Sequence, residues 1–117
     1  MINNSFQFIG RLTKEPAYYG GNDSKKSFVV FDLAVEKNND EVEYVHLNAF
    51  GKTADIVNQY VTKGTLIIVN GKINFTREAE INTTSGTTKI IIPEFVVDEM
   101  RILSKPQQNQ STENQGA

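Results

Sequence analysis

The chain has no cysteine and no tryptophan, one histidine and three prolines in 117 residues. Without cysteine there is neither a disulfide framework nor a thiolate metal site. His46 stands alone with no clustered carboxylates beside it in sequence, so no zinc-ligand pattern exists. Nucleophilic catalysis needs a base next to its nucleophile, and His46 has no such partner in sequence. Gly20-Gly21 and Gly71 form no phosphate-cradling motif. No run of about 18 apolar residues occurs, so no helix is expected to span a membrane. The opening Met-Ile-Asn-Asn-Ser-Phe-Gln lacks the basic and apolar regions of a secretion signal. The expectation is a non-enzyme with no catalytic residue, metal or cofactor and no membrane partner, in the cytoplasm.

What is present suits one domain with a modest core: 38% of residues are hydrophobic. The net charge of −2 argues against a nucleic-acid partner until its distribution is considered. Residues 1–35 carry +1, residues 36–43 carry −3, residues 44–93 carry +2 and the remainder −2. The middle of the chain can therefore present a mildly basic face, while the acidic run 36–43 reads as a solvated turn.

Apolar residues alternate over 5–13, placing Phe6, Phe8 and Leu12 on one face with Gly10, where a missing side chain permits a bend or close crossing. Pro16 to Lys26, with Gly20-Gly21-Asn22-Asp23, reads as a loop. A second strand over 27–36 turns Val29, Phe31, Leu33 and Val35 to one side. Asn38-Asn39-Asp40 then leads into a third strand at 42–50. Over 53–63 the period becomes helical through Ala54, Val57, Tyr60 and Val61, with Thr53 as expected N-cap and Gly64 as stop. Strand chemistry returns at 65–79, with Ile67, Val69, Gly71, Ile73 and Phe75 facing one way. Residues 82–86 make a hairpin tip, and 88–97 come back, extended by Met100 to Leu103. Pro93 donates no ladder hydrogen bond and is expected at an edge or a bulge. Residues 105–117 are polar and aperiodic, and a disordered tail is expected there. Short turns between alternating runs predict an all-β, five-stranded antiparallel Greek-key barrel with one helix between strands 3 and 4, the OB-fold. On element order alone, another small α+β domain remains the alternative. The domain is expected to occupy residues 1–104.

The third strand carries the most information. Val45, Leu47 and Ala49 share a core face, leaving Tyr44, His46, Asn48 and Phe50 on the other. Two outward aromatics among polar residues suit base stacking, since every base has a π-face. The alternative is packing under a loop or in a subunit interface. Lys52 follows Phe50 closely and Lys63 closes the helix. The fourth strand turns Asn70, Lys72, Asn74 and Thr76 outward, a set suited to phosphate and sugar contact, and Arg77 adds charge beside it. Each lysine taken singly reads as solvated; their coincidence with the aromatic face makes them candidates.

The sequence resembles the bacterial and phage single-stranded DNA-binding proteins over about residues 1–103. The resemblance rests on Asn4, Gly10-Arg11-Leu12-Thr13-Lys14-Glu15-Pro16, Phe31-Asp32-Leu33-Ala34-Val35 and Phe50-Gly51-Lys52-Thr53-Ala54. It continues through Tyr60-Val61-Thr62-Lys63-Gly64-Thr65, Val69-Asn70-Gly71-Lys72-Ile73 and Glu94-Phe95-Val96-Val97-Asp98. It implies base stacking at Tyr44 and Phe50, phosphate contact at Lys52 and Lys63, a basic DNA-contacting position at His46, and backbone contact from Arg11 and Lys14. It implies a homo-oligomer, usually a homotetramer, in which the first strand with Phe6 and Phe8 lies in the core or at the dimer contact. The implied function is sequence-independent binding and protection of single-stranded DNA in replication, recombination and repair. The sequence departs from the pattern in having no tryptophan, in Glu78 at a position where an aromatic is common, and in a short 37–41 loop. The tail ends Gln-Gly-Ala, without the acidic, phenylalanine-terminated tip that recruits replication and recombination proteins; a phage-encoded relative, in a host cytoplasm, fits such a chain. The competing readings are a primosome-type OB protein acting mainly in protein assembly, an OB-fold enzyme subunit and an RNA-binding OB module.

Overall fold

Alternating apolar residues drive most of the chain into strands, and the computed structural model describes residues 3–106. In order these are β1 (Phe6–Leu12), β2 (Ala17–Tyr19), β3 (Phe28–Asn38), β4 (Glu41–Phe50), helix α1 (Gly51–Tyr60), β5 (Leu66–Thr83) and β6 (Gly86–Ser104). The ladder runs β1-β5-β6-β4-β3, and a further β1–β3 pairing closes it into a ring. β1 serves both halves of that ring, pairing with β5 over Phe6–Arg11 and with β3 over Gly10–Leu12. The crossing falls at Gly10, where a Cβ would stand 2.4 Å from the Ala34 carbonyl oxygen. Only a residue without a side chain lets the strands approach so closely.

The architecture is the five-stranded Greek-key OB-fold, with the helix between the third and fourth strands of the barrel. One of its seams is parallel: β4 and β6 pair through Leu47–Phe95, Asn48–Val96 and Ala49–Val97. Strand direction cannot alternate all the way round a closed ring of odd number, so five strands require at least one parallel neighbour. A sixth strand, β2, lies inside the segment read as a loop and pairs Tyr18 with Val29 at the outer edge of β3. The helix starts earlier than expected, at Gly51, with Phe50 in the N-cap position. Thr53 is therefore not the cap; its hydroxyl donates to the Asp98 carbonyl oxygen at 3.1 Å and ties the helix to β6.

The inward residues anticipated on β3, β4 and β5 fill the barrel. Phe31, Leu33, Leu47, Ile67 and Val69 are buried, and Val57 of α1 covers one end. Phe6, Phe8 and Phe95 pack as a trio beside them, with ring centroids 5.2–5.5 Å apart. Two expected core residues lie outside. Tyr60, the last residue of α1, is exposed, the inward positions of this segment being filled by Ala54, Val57 and Val61. Phe75 is 56% exposed because the β5–β6 register slips between Asn74 and Arg77. There Phe75 and Thr76 together oppose the single residue Pro93, a bulge that reverses the facing of the strand. Pro93 thus sits at a bulge, as its missing N–H requires. Beyond it, Arg77–Thr83 and Gly86–Ile92 form a two-stranded arm projecting from the barrel. Of the expected tail, residues 107–117 lie outside the described residues.

Candidate nucleic-acid interface

The outer side of β4 follows from its inner side. With Leu47 and Ala49 buried, strand alternation sends Tyr44, His46 and Phe50 outward. Tyr44 is the most open of these, at 73% exposure, and Phe50 is half open. Asn48 shares their parity but is buried; its amide nitrogen donates to a Glu94 carboxylate oxygen at 3.3 Å across the parallel seam.

β3 supplies a carboxylate that sequence reading did not single out. Asp32 pairs with His46 across the ladder, and His46 Nδ1 lies 2.6 Å from Asp32 Oδ1. Lys14 Nζ is 3.8 Å from the other carboxylate oxygen, so Lys14, Asp32 and His46 form one chain across the face. Arg11 pairs with Ala34, which pairs with Tyr44, placing Arg11 two strands away, about 10 Å. Its guanidinium donates to the Gly64 carbonyl oxygen at 2.9 Å. The exposed Lys63 follows α1 just before that glycine, and its backbone N–H donates to Glu15. Tyr44, His46, Lys14, Arg11 and Lys63 thus belong to one side of the barrel.

A second cluster sits at the other end of β4, six residues or about 20 Å from Tyr44. Phe50 pairs with Phe28, and Phe28 with Tyr19 of β2. The Tyr19 and Phe28 rings stack with centroids 4.7 Å apart and planes 20° apart; Phe28 and Phe50 are 6.1 Å apart. Lys26 lies over Gly51, and Lys52 opens the helix beside it. Tyr18, the inward neighbour of Tyr19, anchors β2 to α1: its hydroxyl donates to Asp55 Oδ1 at 2.7 Å, and Ser27 donates to the same oxygen at 2.6 Å. Hydrogen bonds from Ser27 and then Tyr18 hold the Asp55 carboxyl below its ordinary range. The hydrogen bond to Asp55 raises the Tyr18 phenol above its ordinary value.

The β5 candidates are more scattered. Lys72 pairs with Val96, which pairs with Asn48, so Lys72 lies two strands from β4. Its ammonium is turned to Asp98, 4.0 Å away. Asn74 pairs with Glu94, and Thr76 and Arg77 are exposed at the bulge. Among the described residues no group of three His, Asp or Glu side chains could hold a metal ion. No described helix is long and apolar enough to cross a membrane. The chemistry on offer is ring stacking and cation–phosphate contact.

Known proteins share this chain's sequence and fold. The model of the single-strand binding protein family matches residues 3–103. A single-stranded DNA-binding protein of Clostridium perfringens is 36% identical over 95 residues, covering 79% of this chain and 63% of that one. Another, from Staphylococcus epidermidis, is 29% identical over 115 residues, covering 93% and 82%. In the first of these the match spans less than two thirds of the relative's length. A crystal structure of the mitochondrial single-stranded DNA-binding protein from S. cerevisiae superposes with a TM-score of 0.66 at 14% identity, covering 90% of this chain and 99% of that one.

Proposed function

This chain belongs to the single-strand binding protein family, and we propose that it binds single-stranded DNA without regard to sequence, as a non-enzymatic module. The observation that carries this reading is Tyr44, an aromatic ring 73% exposed on a strand whose other face is buried. An open ring beside His46, Lys14 and Arg11 offers a base its π-face and the backbone its positive charge. Stacking is blind to base identity, and phosphate contacts at Lys52, Lys63 and, from β5, Lys72, Asn74, Thr76 and Arg77 carry no sequence information. Replication, recombination and repair are the settings in which such a protein acts, in the cytoplasm. The binding domain is residues 1–104, with 105–117 as an appended tail.

We further propose a homo-oligomer, a homotetramer by family likeness. Among the described residues, Phe6–Ile9 of β1 have a ladder partner only on the β5 side, leaving one edge of backbone donors and acceptors for a second copy. Exposed Ile9 on that strand favours such a contact.

Competition among oligo-dT, duplex DNA and poly-U of equal length tests the reading. Oligo-dT is expected to win clearly over duplex, with affinity falling as salt rises, by a slope of about −0.7 per phosphate contact. Equal affinity for duplex overturns it. A clear win for poly-U identifies an RNA-binding module instead.

A further inference from the structure

Tyr19 and Phe28 have no place in the site that residue pattern or family likeness assigns, yet with Phe50 they form a contiguous row of aromatic rings. The three rings lie side by side across β2, β3 and β4. β2 is the last strand of the sheet, so no strand lies beyond Tyr19. One face of its ring stacks on Phe28, and the residue remains 53% exposed. Core packing does not explain this ring: its neighbour Tyr18 points the other way and makes the anchoring contact to Asp55. That anchor holds the short β2 against α1, so Tyr19 is presented from a fixed strand and not from a loose loop.

The charge around the row matches a nucleic-acid ligand. Lys25 and Lys26 lie one residue, Ser27, before β3, and Lys52 stands in the first turn of α1. Among the described residues none of the three makes an ion pair, while Lys14, Lys37 and Lys72 each do. Open aromatic rings bordered by unpaired lysines are the combination that single strands bind, bases on the rings and phosphates on the cations.

We propose that Tyr19 and Phe28 extend the Phe50 position into a second base-stacking platform for the same DNA strand, with Lys25, Lys26 and Lys52 meeting its phosphates. The inference rests on the proposed single-stranded DNA binding. The strand runs from Tyr44 along the outside of β4 and turns across β3 onto β2. A base stacks on the open face of Tyr19, continuing the Tyr19–Phe28 pile. Two separated stacking sites then anchor one strand, so affinity rises once an oligonucleotide is long enough to reach both.

Because the chain contains no tryptophan, Tyr19→Trp introduces its single indole. At this exposed edge the larger ring has room, and stacking quenches its emission. Saturating oligo-dT is expected to quench that emission. Tyr19→Ala is expected to weaken binding of long oligo-dT by about 5- to 150-fold. Oligonucleotides too short to reach from Tyr44 to Tyr19 lose much less, and Tyr19→Phe retains affinity. An unquenched indole together with full affinity in Tyr19→Ala overturns the platform while leaving the proposed function standing. A change of oligomer mass in Tyr19→Ala, with DNA affinity intact, assigns the ring to a contact between copies and also overturns it. Failure of the unmodified protein to bind oligo-dT removes the proposed function itself, a result seen before any variant is made.

Discussion

Tyr44 and Val45 are adjacent in sequence and take opposite tasks, because a strand turns consecutive side chains to opposite faces. Val45 packs toward the barrel while Tyr44 stands in solvent with little packing to lose. Tyr44→Ala is therefore expected to cost about 1–3 kcal/mol of oligo-dT affinity, while the folded state changes by no more than about 0.5 kcal/mol. Tyr44→Phe keeps the ring and should bind as the parent does; titration and thermal melting of the three proteins check both. A variant that melts early but binds normally makes Tyr44 a packing residue. The outward set of β4 was legible from parity alone. Asp32, Tyr19 and Phe28 were not, because their meaning arises from partners 9 to 22 residues away in another strand, and register is invisible before pairing is known. The Tyr18–Asp55 contact yields a second expectation at this scale. Asp55 titrates below the ordinary carboxylate value of 3.8, so the stability it adds is present above that pH and lost as pH falls through the folded value. Tyr18 titrates above 10.0, so its contribution is present below that pH and lost as pH rises through the folded value. Melting of Asp55→Asn beside the parent should show a gap that is constant near neutrality and closes in acid. A gap independent of pH would mean that the carboxylate charge is immaterial.

At the scale of elements, alternation and period located nearly every strand and the helix, because one buried face imposes its pattern on the sequence. The misplacements share a cause. A bulge shifts parity without leaving a sign of its own, which is why Phe75 read as core and stands outside. β2 was hidden for another reason: three residues are too few to alternate, and the surrounding glycines and asparagine signal a turn. Gly71, by contrast, lies where its facing predicted, and there the structure is least forgiving. The ladder slips between Asn70 and Gly71, and β6 comes so near that an added Cβ would lie 1.9 Å from the Val96 carbonyl oxygen and 2.8 Å from the Phe6 ring. Backbone cannot yield as the end of a side chain can. Gly71→Ala should destabilise the protein by about 3 kcal/mol or more, placing it among the most damaging single changes. Denaturant unfolding measures this; a loss under about 1 kcal/mol would mean that the β5–β6 ladder is more pliant than its hydrogen bonds suggest.

For the molecule as a whole, the order of elements fitted the barrel but left another small α+β domain open, and the residues of the family resemblance narrowed the choice. Oligomer number had no such signature: the open β1 edge and exposed Ile9 become visible only once the pairings of β1 with β3 and β5 are known. The projecting β5–β6 arm was likewise illegible, because its strands look like any others until the barrel beside them ends. The parallel seam has a consequence in time. β3 and β4 meet across a turn of two residues, and β5 and β6 across another, so both hairpins close early and cheaply. Leu47 and Phe95 are separated by 48 positions and Phe6 and Gly71 of the β1–β5 pairing by 65, so loop-closure entropy favours both hairpins over these distant pairings. The β4–β6 closure should thus follow both hairpins in folding and open before them in unfolding. Val97→Ala, a truncation at that seam, is expected to accelerate unfolding while leaving the refolding rate nearly unchanged. Leu33→Ala, within the β3–β4 hairpin, should slow refolding. Chevron plots of the two variants separate these behaviours, and a refolding arm slowed equally by both would mean that the seam is already built at the rate-limiting step. Where the seam indeed opens before the hairpins, the lifetime of the closed barrel is set by three pairs of residues, and the rest of the sheet governs only how fast it is regained.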